Sequence, residues 1–369
     1  MTMAKLNKKG DFFIIFLTLL LSGFGVIMVY SASYYSAEVQ YGDGFFFAKK
    51  QLIGFLLGIV GMILGARFNY YKLKKKKIRY MLVVAAVIML ALVFVPGLGK
   101  TNYGATRWIG VGGVTIQPSE FAKYALVIFS AGYMSENIGK MREFKGIFPV
   151  LCVGGAICGL IILEPNMSVT MCVGMLMIAM LFLGGVKIKH FLVIAIPALI
   201  AVPVLIAVEP YRLLRLSAYL DPWASPKEEG YQLIQSLYAL GNGGWFGCGL
   251  FHSRQKYRFL PFAESDFILA IVGEEIGFVG LSILFSAMLF LVYRGVRIAL
   301  RAGDFFSFLL AMGIILVYAI QTTINALVVS GAIPPTGIPL PLLSSGNTSL
   351  IITMTFMGVL YSISKRVND

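Results

Sequence analysis

Histidine is nearly absent from this sequence: His190 and His252 are the whole supply, and neither has a second His or a Cys at ligand spacing. A His-built metal site is therefore not expected, since it needs several nitrogen or sulfur donors converging from short spacings. Cysteine is also sparse. Cys152, Cys158 and Cys172 lie inside apolar runs and Cys248 stands alone in a glycine-rich stretch, so no disulfide framework or thiolate cluster is encoded. Charged residues make up only 13% of the chain, and no long Ser- or Pro-rich linker divides it. The first scarcity excludes an ordinary soluble globular protein, and the second leaves one domain over residues 1–369 as the simplest organisation. A carboxylate-bound divalent cation, Mg or Mn, is the metal chemistry left open.

What the sequence has in excess is apolar surface: 58% of residues are hydrophobic and the mean hydropathy is +0.84. This is the composition of an integral membrane protein. The formal charge of +14 raises the question of nucleic acid, but Lys and Arg sit in short runs between apolar segments. That placement is the one membrane orientation requires, and no nucleic-acid partner is expected.

Apolar runs near bilayer-spanning length lie at Phe12 to about Tyr30 and at about 51 to 66, 80 to 96, 117 to 134, 147 to 163, 167 to 185, 191 to 208, 267 to 293, 305 to 327 and 347 to 363. The expected fold class is thus an all-α polytopic membrane protein with ten transmembrane helices. Ser31 to Ser33 faintly resembles a signal cleavage site, but the first run is longer than a signal-peptide core and is read as a retained span. With a cytoplasmic N-terminus, the runs at Lys5 to Lys9, Arg67 to Arg79, Lys140 to Lys145, Lys187 and Lys189, Arg294 to Arg301, and Lys365 and Arg366 all fall inside. The outer segments hold about half as many basic residues, so both termini are expected in the cytoplasm. The Lys72 to Lys77 run reads as a topology anchor near anionic lipid.

One external segment, about 209 to 265, far exceeds the other loops, and long loops in compact proteins usually carry function. Within it, Leu233, Leu237 and Leu240 have helical spacing, consistent with a short helix on or dipping into the membrane. Immediately after it come four carboxylates, Glu264, Asp266, Glu274 and Glu275, at and inside the start of an apolar run. A charge at bilayer depth costs about 2.5 to 3.5 kcal/mol on insertion scales, so such residues usually face a polar cavity. Asp266 lies at the outer edge beside Arg254, Lys256 and Arg258, and is the best placed for interfacial chemistry. Glu274 lies about 12 Å deeper on nearly the same helix face. For Glu274 and Glu275, hydrogen-bonded packing between helices competes evenly with a role in a site.

Glu120 and Lys123, three residues apart, share a helix face near the outer surface, with Pro118 in the first turn. They read either as a pair lining a site or as two membrane-embedded charges neutralising each other. Ser330 to Ser349 contains four prolines and three glycines and should form a shaped, partly re-entrant loop. Irregular backbone at membrane depth must be buried in protein or line a cavity, so this loop and the long one are expected to wall a common external cavity. Two further motifs are decoys. Gly241 to Gly249 lacks the GK[ST] of a phosphate loop, and Ser362 to Lys365 matches S-x-x-K without its partner motifs.

Taken together, MVYSAS (Met28 to Ser33), GATRWIGVGGVTIQPSEFAK (Gly104 to Lys123), GYQLIQSLYALGNGGWFGCGL (Gly230 to Leu250), SRQK (Ser253 to Lys256), ESDFI, GEEIGFVG and PPTGIPLPLLSSG resemble the SEDS family of shape, elongation, division and sporulation proteins. The S-x-Q-K form and MVYSAS resemble the division and sporulation branch (FtsW and SpoVE) more than the elongation branch (RodA). The resemblance implies a peptidoglycan glycosyltransferase that polymerises lipid II at the outer face of the bacterial cytoplasmic membrane. It implies a class B penicillin-binding protein and other divisome membrane proteins as partners. It places the family's essential aspartate on Asp266, its cavity pair on Glu120 and Lys123, and its external arginine on Arg107. Asp266 is then the base or a metal ligand, and Arg107, Lys123, Arg212, Arg215, Arg254, Lys256 and Arg258 are candidate diphosphate partners. Phe262, Asn166 and Ser345-Gly346-Asn347 depart from the family pattern, and Glu264 is a candidate for the acid missing at Phe262. A lipid-precursor transporter and a noncatalytic wall-synthesis scaffold are the competing readings. The external concentration of polar residues and the lack of a clear inverted repeat favour the enzyme.

Overall fold

The computed structural model describes residues 10–102, 105–111, 114–193, 195, 196, 203 and 210–366. The chain is mostly helical: α1 Phe12–Tyr41, α2 Phe46–Arg67, α3 Lys76–Leu92, α4 Pro118–Glu136, α5 Phe144–Leu163, α6 Met167–Leu183, α7 Pro210–Leu220, α8 Tyr231–Gly243, α9 Ile268–Leu300, α10 Phe305–Val329 and α11 Asn347–Ser364. Six of these (α1, α2, α5, α9, α10 and α11) are long and apolar enough to cross a membrane. The expected seventh span, about 191 to 208, falls mostly outside the described residues; each of the other nine ranges overlaps a helix. Local chemistry fixes several starts. The side chains of Asp11, Asn166 and Asp304 accept backbone N–H groups at the openings of α1, α6 and α10, and Pro118 opens α4.

The helical bundle is consistent with the expected all-α class and carries one small sheet that the sequence reading did not include. Gly99–Asn102, Ala105–Val111 and Val114–Ile116 form an antiparallel sheet in the order β1, β2, β3, with Lys100 opposite Trp108 and Ile109 opposite Ile116. Alternation of polar and β-branched or aromatic residues selects strand over helix here, and strand β3 leads directly into α4. A second difference is at the first span, where α1 continues through Ser31 to Tyr41 as one helix.

Helix α4 is buried on almost all faces, packed by α3, α6 and α10, and forms the centre of the bundle. Helices α2 and α11 pack extensively along each other. A Cβ at Gly358 would lie 2.1 Å from the Met62 carbonyl oxygen, so this approach demands glycine. The end of the bundle holding the termini is tied by polar contacts. Arg294 grips Asp11 at 2.5 Å, Ser364 accepts the Asp11 N–H, and Tyr71 donates to Asp304 at 2.5 Å. The opposite end carries the sheet, α7, α8 and the long loops.

Candidate functional site

Asp266 lies where two irregular stretches are sewn together. The Asn325 amide, one turn before the end of α10, donates to the Asp266 carbonyl and the Ile338 carbonyl, each at 2.8 Å. Ser344 Oγ donates to the Ser265 carbonyl at 2.6 Å, the Ser345 N–H to the Glu264 carbonyl at 2.9 Å, and Gln51 Nε2 to the Ser344 carbonyl at 3.0 Å. The Pro-rich loop and the segment before α9 therefore form one wall. Backbone at this depth has to find such partners because lipid supplies none. The Asp266 carboxylate faces Gly337, where a Cβ would lie 3.3 Å from Oδ2.

Burial raises the pKa of Asp266 above its ordinary value, opposed by a 2.9 Å hydrogen bond from Ser265 Oγ and the charges of Arg107 and Arg215. Burial raises Glu264 too, and the negative charge of Asp266 adds to that rise. The two arginines come from distant elements. Arg107, on β2, lays its guanidinium across the turn between α5 and α6, donating to the Glu164 carbonyl at 3.4 Å and to the Pro165 carbonyl. Arg215, on α7, borders a hollow of about 20 Å³ with Tyr219, Gln232 and Pro335. Helices α7 and α8 are anchored to the same wall by Tyr219 Oη on the Ala332 carbonyl at 2.9 Å, Gln232 on the Pro261 carbonyl at 3.2 Å, and Ser236 on the Val329 carbonyl at 2.8 Å.

The deeper acids occupy a separate network. Glu274 accepts hydrogen bonds from Ser253 Oγ and from the N–H groups of Arg254 and Gln255. Glu275 accepts from Ser31 Oγ at 2.5 Å and pairs with Lys256 at 3.5 Å. Glu274 is thus bound to the SRQK turn, and the buried Lys256 ammonium pairs with Glu275 and donates to the Phe251 carbonyl. Arg254 and Arg258 are surface residues, and the side chain of Arg212 lies outside the described residues. Glu120 and Lys123 close on each other at 2.7 Å with 1% and 0% of their side chains exposed, and Glu120 Oε2 has no hydrogen-bond partner.

The family model for "Cell cycle protein", which covers FtsW, RodA and SpoVE, matches residues 12–369. The chain belongs to this FtsW/RodA/SpoVE family. It is 41% identical over 361 residues to stage V sporulation protein E of Bacillus subtilis (strain 168), covering 97% of this chain and 98% of that protein. It is 39% identical over 358 residues to a protein of Geobacter sp. (strain M18) named "Probable peptidoglycan glycosyltransferase FtsW", covering 97% of each. A chain from a structure of a peptidoglycan synthase complex, studied for its coordination of polymerisation and crosslinking, superposes with TM-score 0.79 at 26% identity over 96% of this chain and 97% of that one. Thermus thermophilus RodA shares the fold, with TM-score 0.71 at 24% identity over 98% of each chain.

Against this FtsW/RodA/SpoVE frame, the residues that sequence reasoning missed are those tying down the backbone around Asp266, namely Gln51, Asn325 and Ser344, and the buried Glu164 beside Arg107. Their signal was readable, because Gln51 and Asn325 are amides inside apolar runs and need partners there. Among the described residues no group of three or more His, Cys, Asp and Glu is arranged to hold a metal ion. Magnesium, however, is commonly held by one or two carboxylates plus substrate phosphates, and Asp266 with Glu264 matches that thinner donor set.

Proposed function

We propose that this chain is a peptidoglycan glycosyltransferase that polymerises lipid II into glycan strands for a division or sporulation septum, acting as one membrane domain. The names of its relatives support the activity. The observation that supports the site is the buried Asp266, under the charges of Arg107 and Arg215, at the point where the 330–349 loop and the segment before α9 are hydrogen-bonded together. Asp266 takes the proton of the acceptor hydroxyl as its oxygen bonds to the donor's anomeric carbon, and the bond from that carbon to the diphosphate oxygen breaks. A carboxylate raised by burial is a stronger base than an exposed one, provided that it stays ionised at the working pH. The guanidinium groups stabilise charge on the departing diphosphate. A divalent cation held by Asp266 and the diphosphate would supply further positive charge to the same oxygens.

The site belongs at the outer face of the bacterial cytoplasmic membrane with both termini inside, as the distribution of Lys and Arg supports. There the polyprenyl tail of lipid II stays in the bilayer while its sugars reach Asp266. A class B penicillin-binding protein is the partner that crosslinks the product, a reading supported by the likeness to a chain of a synthase complex. The test is reconstitution of the purified chain, with and without that partner, with lipid II and with divalent cations supplied or chelated. Long glycan strands on a gel are expected in at least one condition. Movement of lipid II between leaflets with no strands would replace the enzyme by a transporter.

A further inference from the structure

Glu164 stands outside the reaction as described, yet its carboxyl group is buried near Arg107 with no hydrogen-bond partner. It closes α5 in the sequence Leu163-Glu164-Pro165-Asn166, is 1% exposed, and neither carboxyl oxygen meets a hydrogen-bond partner. A dry carboxylate without donors is costly, and burial pushes Glu164 up to about 8, with Arg107 alone opposing. The charges around it are few. Arg107 comes from β2 and hydrogen-bonds the two carbonyls of the turn; Glu120 and Lys123 of α4 are closed on each other. Helix α6 carries no charged residue, and the lone charge on α5, Lys145, lies at its opposite end. The positive charge of Arg107, whose guanidinium is fixed on the Glu164 and Pro165 carbonyls, thus opposes the rise of two buried acids, Glu164 and Asp266.

We propose that Glu164 is a positioning residue for Arg107: as the neutral acid it leaves the guanidinium to Asp266 and the substrate's diphosphate, and as the carboxylate it draws that guanidinium to itself. The proposal rests on the reading of Asp266 and Arg107 given above. Its consequence is an alkaline loss of activity that originates outside the reacting groups. A single acid titrating near 8 is about one-tenth ionised at pH 7 and about nine-tenths at pH 9, so Arg107 is released at the first and claimed at the second.

The experiment measures strand polymerisation by the full chain, reconstituted with its partner and lipid II, at pH 7 and pH 9, and takes the quotient of the two rates. In the wild type the rate at pH 9 should fall at least about threefold below that at pH 7, with the loss lying mainly in KM for lipid II because diphosphate binding weakens. In Glu164→Gln, which cannot ionise, the quotient should rise to near one whatever the absolute rate. Glu164→Met, apolar and of similar length, predicts the same flattening and serves if the Gln variant does not accumulate in the membrane. Equal quotients in wild type and either folded variant would overturn the proposal. Asp266→Asn is run beside them: activity in that variant would remove the underlying site reading, whereas its inactivity with unchanged quotients removes only the role given to Glu164.

Discussion

Single residues show where sequence reasoning reaches its limit in this chain. Asp266 stands out in the sequence because an acid at the mouth of an apolar run, next to a long polar loop, usually faces a polar cavity. The partners of Lys256 do not, because proximity along the chain sets Lys256 near Asp266, while the fold turns it to Glu275 and Ser31 of α1. The Glu275 pair bridges 19 residues and the Ser31 contact 225, separations that no local pattern encodes. The pair makes a stability prediction. Lys256→Met leaves the buried Glu275 without its cation and should cost about 3 kcal/mol, read as a lowered thermal midpoint in detergent. Adding Glu275→Gln should recover much of that loss, and additive losses would show that the two charges are independent. Glu120 and Lys123 pose the complementary question. Exchanging them, Glu120→Lys with Lys123→Glu, should preserve folding yet not restore polymerisation lost in the single variants; full recovery would make the pair purely structural.

At the scale of elements, the glycine-rich run Gly241 to Gly249 was readable as turn-forming but not as half of an interlock. Helix α9 breaks at Gly277, whose φ is 67°, and the run docks into the break: Cys248 and Gly249 donate to the carbonyls of Glu274 and Glu275, and Phe278 and Val279 to those of Gly244 and Trp245. A Cβ at Gly247 would lie 2.1 Å from the Glu275 carbonyl oxygen. Gly247→Ala is therefore expected to pry apart the break and the SRQK turn that Glu274 and Glu275 hold. The predicted result is loss of folded protein on size-exclusion chromatography, and a variant as stable as wild type would contradict the interlock. The sheet before α4 was missed for a different reason. Arg107 to Ile116 carries a strand-like alternation around Gly112-Gly113, a hairpin signal, but strands three to seven residues long are far shorter than the apolar runs that dominate this sequence. The helices were legible because apolar runs of about 20 residues leave little choice of conformation in a membrane.

Over the whole molecule, the polar ends of the bundle differ in kind. The end with the termini is laced by fixed ion pairs and caps, whereas the other end holds acids raised by burial, arginines from separate elements and irregular backbone. The orientation that places this second end outside has a direct check, because Cys248 is exposed on it. An impermeant thiol reagent should label Cys248 in intact spheroplasts, with Cys248→Ser as the blank, and labelling only after permeabilisation would invert the topology. The central claim, that Asp266 is the centre of a polymerising site, is tested most directly by Asp266→Asn in the reconstituted lipid II reaction resolved by gel. The change keeps the shape and removes the charge, and loss of a general base costs about 10²- to 10⁴-fold. The wild type should make long glycan strands while Asp266→Asn, present in the membrane in equal amount, makes none; strands of wild-type length and yield from the Asn variant would contradict the account.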